Sequence, residues 1–214
     1  RSTMAYGSSL DVGGPSIRDI AYSPDGRTLA IATVRSIELL DVASGEVRDV
    51  LEPGGYRVVY SRDGATMACL KGPARFWNAG TGAPLGQTAM DVADGLFIPG
   101  TDLFAFVAHP RDNTLYLWDV SRARYEAYLE ADPERAAARA KGWRPPRGPA
   151  ETSLHAIALD AAGATLGTLT RDEGAILWDV ASRTVTARVA GPSGKLGPVW
   201  IGLVDDPVRV VSRL

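Results

Sequence analysis

The stretch Leu115–Val120, LYLWDV, recurs almost unchanged as Ile176–Val180, ILWDV. Weaker versions of the same pattern are FWNAG, with Trp77 and Asn78, and ELLDV, with Asp41. The Asp or Asn positions are 41, 78, 119 and 179, so their separations are 37, 41 and 60 residues. The last separation contains a twenty-residue interruption at 131–150, and removing it leaves 40. A period near 40 residues predicts an array of small, similar sheets.

A second marker recurs in step with the first. YSPDGRTLAIAT (22–33) aligns with YSRDGATMACLK (60–71), and degenerate copies are FIPGTDLFAFVA (97–108) and LDAAGATLGTLT (159–170). An Asp-Gly pair between apolar runs favours a tight hairpin, because glycine supplies the positive φ of the turn. Each unit therefore predicts four short antiparallel strands. In the fourth unit we expect them at about 154–159, 165–170, 174–180 and 184–190.

These repeats resemble the WD-repeat family of β-propellers over about 17–214, and we treat 1–214 as one all-β domain. The resemblance implies four-stranded antiparallel blades at about 17–52, 55–90, 92–130 and 153–190, with a partial fifth at 197–214 that residues 4–10 extend. The repeat positions that carry the resemblance are Asp41, Trp77, Asp112, Trp118, Asp119, Asp172, Trp178 and Asp179.

The repeats also depart from the family pattern. In that family an aspartate six positions before the tryptophan, here Asp112 or Asp172, helps hold a hydrogen-bonded network across the blade. The first two units have Val34 and Lys71 at that position, and the family's early Gly-His pair is missing. We therefore expect these blades to depend mainly on apolar packing.

The ring is not expected to close by itself. Residues 4–10, sixteen strands in four units, and a final pair at 199–204 and 208–214 give about five blades, of which the last lacks its third strand. An unpaired strand edge requires a cover. Three explanations remain open: a fragment of a larger propeller, a ring completed by another chain or a second copy, and a small, imperfect five-bladed ring.

Composition narrows the function classes. The net charge of −2 predicts no nucleic-acid partner, and no apolar run reaches the roughly 18 residues of a membrane span.

The single cysteine, Cys69, excludes an internal disulfide, so we expect a cytoplasmic location. The excess of arginine over lysine, 20 against 3, suggests a bacterial source. Arg1 is not an initiator, so we expect a longer parent protein.

The interruption at 131–150 is the best candidate for a partner-binding site. Its sequence DPERAAARAKGW predicts a helix that begins after Asp132 and ends at Gly142. The local charge is +3, and Trp143 among arginines is typical of a binding hot spot. In the WD-repeat family this connection lies on the face usually used for partners. The predicted contact residues are Arg135, Arg139, Lys141, Trp143, Arg144 and Arg147.

No catalytic or metal-binding motif emerges, and we expect no cofactor. GPSGKLG has the wrong spacing for a phosphate loop and lacks the Ser or Thr that binds magnesium. His109 and His155 lack further ligands at a metal-site spacing, and Cys69 lies within an apolar strand.

The resemblance implies a non-catalytic protein-interaction scaffold, or a sensing or docking module, within a larger protein. The alternatives are a propeller enzyme, such as a hydrolase or lyase, and a small-molecule sensor, each with its site at the central channel. Few carboxylates or histidines on the predicted innermost strands favour the scaffold.

Overall fold

A computed structural model describes residues 16–108, 114–130, 154–170, 174–189, 201–204 and 209–212, and the single positions 134 and 137. This part of the chain is organised in seventeen β-strands. In chain order they are β1 (Ile17–Tyr22), β2 (Thr28–Thr33), β3 (Ile37–Asp41), β4 (Val47–Leu51), β5 (Arg57–Tyr60), β6 (Thr66–Leu70), β7 (Pro73–Asn78), β8 (Pro84–Phe97), β9 (Leu103–Ala108), β10 (Thr114–Asp119), β11 (Arg124–Glu130), β12 (Leu154–Leu159), β13 (Thr165–Thr170), β14 (Gly174–Asp179), β15 (Thr184–Val189), β16 (Ile201–Val204) and β17 (Arg209–Ser212).

Neighbouring strands pair in antiparallel fashion and in chain order. β1 to β4 form one four-stranded sheet, β5 to β11 form a seven-stranded sheet, and β12 to β15 form a second four-stranded sheet. β16 and β17 form a hairpin. The fourth unit matches its expected strands to within one residue. The predicted fold class, all-β with four-stranded antiparallel blades, is confirmed.

The seven-stranded sheet contains two units joined by one long strand. The first part of β8 pairs with β7, and its second part, from Val92 onward, pairs with β9. Register shifts on both sides of this join allow the strand to change partners. The Thr88 hydroxyl accepts the Ala74 N–H at 2.9 Å and donates to the Met90 carbonyl at 2.8 Å, so polar groups at the irregularity remain paired. We call the four units blades one to four, with β8 shared by blades two and three.

Successive blades stack face to face, and an apolar core lies in each gap. Between blades one and two it includes Leu39 and Met67, and between blades two and three it includes Phe76 and Phe104. Between blades three and four it includes Leu117 and other residues from both sheets. Each fully buried large side chain contributes roughly 1.5–3 kcal/mol relative to an exposed one, so these gaps are the main stabilising feature.

The strand alternation explains how one blade serves two gaps. In β10, Leu115 and Leu117 face blade four, whereas Tyr116 and Trp118 face blade two. Every residue of this strand is buried because both of its faces are covered.

The repeated tryptophans occupy equivalent places. Trp77, Trp118 and Trp178 each pack into the core shared with the preceding blade. Their indole N–H groups differ, however. The Trp178 Nε1–H donates to the Thr168 hydroxyl at 3.0 Å, whereas the buried Trp118 Nε1 has no hydrogen-bond partner. The place of Thr168 is taken in blade three by Phe106, so apolar packing replaces the polar contact there.

The repeated aspartates hold the turn between the third and fourth strands of a blade. Asp41 accepts the Ser44 N–H at 2.8 Å and its hydroxyl at 2.9 Å, and Asp179 accepts the Ser182 N–H at 2.6 Å. The backbone hydrogen bond from Ser44 lowers the pKa of Asp41, and that from Ser182 lowers the pKa of Asp179. The repeat motif therefore combines a core tryptophan with a turn-forming carboxylate.

Polar contacts also tie the innermost strands of successive blades together. Asp19 of blade one accepts the Val58 N–H of blade two at 2.9 Å, and Asp94 of blade three accepts the Ile157 N–H of blade four at 3.1 Å. Arg57 of blade two forms an ion pair with Asp94. Every gap between the four blades therefore has a charged contact at its inner edge.

Replacing Trp178 with Phe should lower the free energy of unfolding by about 1 kcal/mol more than replacing Trp118 with Phe. Trp178→Phe removes one partner of a buried hydrogen bond and leaves the Thr168 hydroxyl unpaired, whereas Trp118→Phe removes an N–H that has no partner. Urea denaturation of both variants gives the comparison. Thr168→Val added to Trp178→Phe should recover part of the loss. Equal losses for the two tryptophans would contradict the assigned hydrogen bond.

Replacing Asp94 with Ala should lower the free energy of unfolding by about 2 kcal/mol, because it leaves the Ile157 N–H without its acceptor and Arg57 without its carboxylate. Asp94→Asn keeps an acceptor and should cost less. Denaturant titration checks both, with Glu46→Ala as the exposed control. A loss no larger than that of the control would show that the inner-edge contact does not hold blades three and four together.

Candidate interaction surfaces

The predicted contact patch falls on a part of the chain that the structure does not describe. Arg135, Arg139, Lys141, Trp143, Arg144 and Arg147 all lie outside the described residues, as do Asp112 and Asp172. Glu134 and Ala137, the two described positions in this region, have helical backbone. The patch therefore remains a prediction.

The carboxylates on the innermost strands have structural partners. Asp19 and Asp94 accept backbone N–H groups from the next blade, and Arg57 pairs with Asp94. Within the described ranges, no group of three or more His, Cys, Asp or Glu side chains could hold a metal ion. The same part of the chain contains no helix with the length and apolarity needed to cross a lipid bilayer.

Cys69 is a packing residue. It is buried in the core between blades one and two, together with Trp77 and Met67. Burial raises the pKa of its thiol to about 12, so the thiol stays protonated near neutral pH. Its position and burial agree with the apolar strand that the sequence predicted, and a thiol of this kind is a poor nucleophile.

A small cavity of about 160 Å³ lies between the Asp-Gly turns of blades one and two. Its polar lining includes Asp25, Asp63, Arg48 and Tyr60. Both carboxylates are engaged by their own turns: the Ser23 hydroxyl donates to Asp25 at 2.6 Å, and the Ser61 hydroxyl donates to Asp63 at 2.6 Å. These hydrogen bonds lower the pKa of each carboxyl group. Neither carboxyl group is therefore tuned for proton transfer near neutral pH.

Burial raises the pKa of the Tyr60 hydroxyl in the same cavity to about 12. This hydroxyl is buried and has no hydrogen-bond partner. A phenol with a raised pKa is a weak acid near pH 7 and cannot serve as a general base there. The cavity therefore gives no acid–base pair that would favour an enzyme.

The face of blade one that points away from blade two carries exposed apolar residues, although Ile31 and Leu40 on the same face are buried. Ile20, Tyr22 and Val42 are 55 %, 60 % and 41 % exposed, respectively. The residues one repeat later on blade two are Val58, Tyr60 and Ala79, and blade one covers them: Val58 is 2 % exposed and Ala79 is 8 % exposed. Blade one thus presents to solvent three apolar positions whose counterparts on blade two pack against blade one.

Sequence reasoning missed two features of these surfaces. The exposed face could have been found by aligning IRDIAY with the corresponding residues of blade two, because the apolar positions coincide. The role of Asp94 had no comparable signal, since its partners Arg57 and Ile157 belong to other repeats.

Comparisons with known proteins agree with this architecture. No family model matches the chain, and no curated protein matches it. Solved structures do. A structure of U3-55K has a TM-score of 0.60 at 17% identity and matches 85% of this chain and 54% of that one. The RRP9 WD40 repeats have a TM-score of 0.61 at 18% identity, with 85% and 53% covered.

A third similar structure is the hydrazine synthase of Kuenenia stuttgartiensis, with a TM-score of 0.65 at 14% identity. The match covers 88% of this chain and 53% of the hydrazine synthase chain. The chain therefore spans about half the length of these solved structures. At such low identities the likeness concerns the fold alone, and the fold is a WD40-like β-propeller arrangement.

Proposed function

We propose that this chain is a non-catalytic platform for protein–protein contact within a larger bacterial, cytoplasmic protein. The observation that carries the proposal is the exposed apolar face of blade one, formed by Ile20, Tyr22 and Val42. An apolar sheet face of this kind is typical of a surface that another protein segment covers. The buried, single cysteine fits a reducing compartment.

The repeat geometry indicates what should cover this face. On blade two the equivalent face is covered by another blade, and the Val58 N–H at its inner edge donates to Asp19 of that blade. Ile20 occupies the position of Val58 one repeat earlier. The covering surface should therefore be a further propeller blade whose inner strand offers a carboxylate to the Ile20 N–H. A second copy, another chain or another segment of the parent protein could supply it.

A propeller enzyme or a channel-binding sensor is less well supported. One similar structure is an enzyme, the hydrazine synthase, but the likeness is limited to the fold. The described inner-strand carboxylates Asp19 and Asp94 already bind backbone N–H groups. Hydrolytic activity that is lost on Asp19→Asn, with the melting temperature unchanged, would favour the enzyme instead.

The purified chain should self-associate through the blade-one face, because Ile20, Tyr22 and Val42 are exposed whereas their counterparts on blade two pack against blade one. Replacing Ile20 and Tyr22 together with Glu should abolish the association and leave the melting temperature nearly unchanged. Light scattering over a range of concentrations measures this. Val189→Glu, an exposed apolar position on blade four, is the matched control. A chain that is strictly monomeric at every concentration would contradict the role of this face.

The insertion at 131–150 should provide a separate contact for the partner. Arg135→Glu combined with Arg144→Glu reverses two charges in a region of local charge +3, so capture of partner protein from the native extract should fall. The melting temperature should change little. Arg27→Glu combined with Arg124→Glu, at exposed arginines elsewhere, controls for net charge. Undiminished capture by the first variant would remove the insertion patch from the proposal.

A further inference from the structure

An exposed tyrosine is held rigidly where blades one and two meet. Tyr56 follows two glycines in the connection from β4 to β5. The Gly54 N–H donates to the Arg35 carbonyl at 2.6 Å, the Gly55 N–H to the Thr33 carbonyl at 2.8 Å, and the Tyr56 N–H to the Leu70 carbonyl at 2.9 Å. Three consecutive backbone bonds thus fix the loop to both blades.

The two glycines are required for this close approach. A Cβ on Gly54 would lie 2.1 Å from the Thr33 carbonyl oxygen, and one on Gly55 would lie 2.4 Å from the Cys69 sulfur. Both glycines are buried, whereas Tyr56 is 56 % exposed. The backbone is therefore fixed while the ring remains accessible, so little conformational entropy is lost when a ligand binds the ring.

Two cations from different blades accompany the ring. The Arg18 guanidinium carbon lies 5.8 Å from the Tyr56 ring centroid, and the Lys71 ammonium nitrogen lies 6.0 Å from it. The Lys71 ammonium group also donates to the Val34 carbonyl at 2.9 Å, which fixes its position. Arg35, on the same loop as Val34, is exposed. Aromatic and arginine side chains are the residues most enriched in binding hot spots.

The cations are grouped near the ring, and nearby carboxylates balance them in number. Arg18, Arg35 and Lys71 contribute three positive charges. Asp19, the carboxylate next to Arg18, is already bound to the Val58 N–H. Two exposed carboxylates border the cluster, Glu52 in the same loop and Asp91, whose carboxylate lies against Gly72. A ligand therefore finds two cations next to the aromatic ring, with carboxylates at the border of the cluster.

We propose that Tyr56, Arg18, Arg35 and Lys71 form a docking site for a short acidic segment of a protein partner. One or two carboxylates bind the cations, and an apolar side chain of the same segment packs against the tyrosine ring. A nucleic acid fits less well, because its evenly spaced phosphates would extend toward Glu52 and Asp91 and because the chain carries a net charge of −2. This inference rests on the proposed platform function and specifies the chemistry of one partner segment.

Fluorescence anisotropy tests the docking site with three labelled probes on the intact chain. They are a short peptide rich in glutamate with one central phenylalanine, the same peptide with lysine in place of glutamate, and a single-stranded oligonucleotide of the same charge as the acidic peptide. The acidic peptide should bind and the lysine peptide should not. Added salt should weaken the binding, since exposed charges are screened.

Variants then locate the site. Tyr56→Ala and Arg18→Gln should each weaken acidic-peptide binding by about tenfold, as expected for hot-spot residues. The control is Tyr128→Ala, because Tyr128 is also an exposed tyrosine but lies on β11 of blade three. It should leave peptide binding unchanged. Melting temperatures confirm that each variant is folded, and Tyr56→Phe should bind nearly as well as the native protein if the ring is the contact.

Several results would overturn the docking site. They are equal binding of the acidic and lysine peptides, binding that survives Tyr56→Ala, tighter binding of the oligonucleotide, and no binding of the acidic peptide. The proposed platform function is tested separately: a strictly monomeric chain would contradict the role of the blade-one face, and undiminished capture by the insertion variants would remove the insertion patch. Peptide binding in a monomeric chain would keep the docking site while removing the blade-one contact.

Discussion

The structure depends on sheets that bury each other's apolar faces. A blade such as the third has two apolar faces, and β10 is fully buried only because blades two and four cover it. Each sheet that covers an apolar face brings a second apolar face of its own, which also needs a cover. Ile20, Tyr22 and Val42 of blade one are exposed apolar positions of the kind that this constraint requires to be covered. They are therefore candidate binding positions.

The same constraint determines the use of polar residues near the axis. The innermost strand of each blade pairs with a neighbour on one side only, so some of its backbone N–H groups point away from its own sheet. These N–H groups need acceptors from elsewhere. Asp19 and Asp94 supply them across the gaps, and Arg57 balances the charge of Asp94. Carboxylates that could have served catalysis are thereby committed to structure. This commitment, rather than a shortage of acidic residues, is what weakens the case for chemistry in this part of the channel.

Local features of the fold could be predicted from the sequence, and relations between repeats could not. The Asp-Gly turns, the strand boundaries of the fourth unit and the alternation along β10 all follow from short-range rules. The long β8 strand was not predicted, because the repeat period places a blade boundary at 90–92, inside this strand. The Tyr56 cluster was missed for a different reason: Arg18 and Lys71 approach the ring only after blades one and two have stacked.

Comparison among the repeats separates structural positions from candidate binding positions. The turn position of Asp41 is Asp or Asn in all four blades, because every blade needs that turn. The position of Tyr56 is different in each blade: it is Arg18 in the first, Ala93 in the third and His155 in the fourth. In these three blades the residue sits at a β-bulge on the innermost strand, where a side chain can be redirected without loss of core packing. A position that the fold leaves free to vary is one where a binding surface can be built, and the adjacent Arg18 and Tyr56 occupy two such positions.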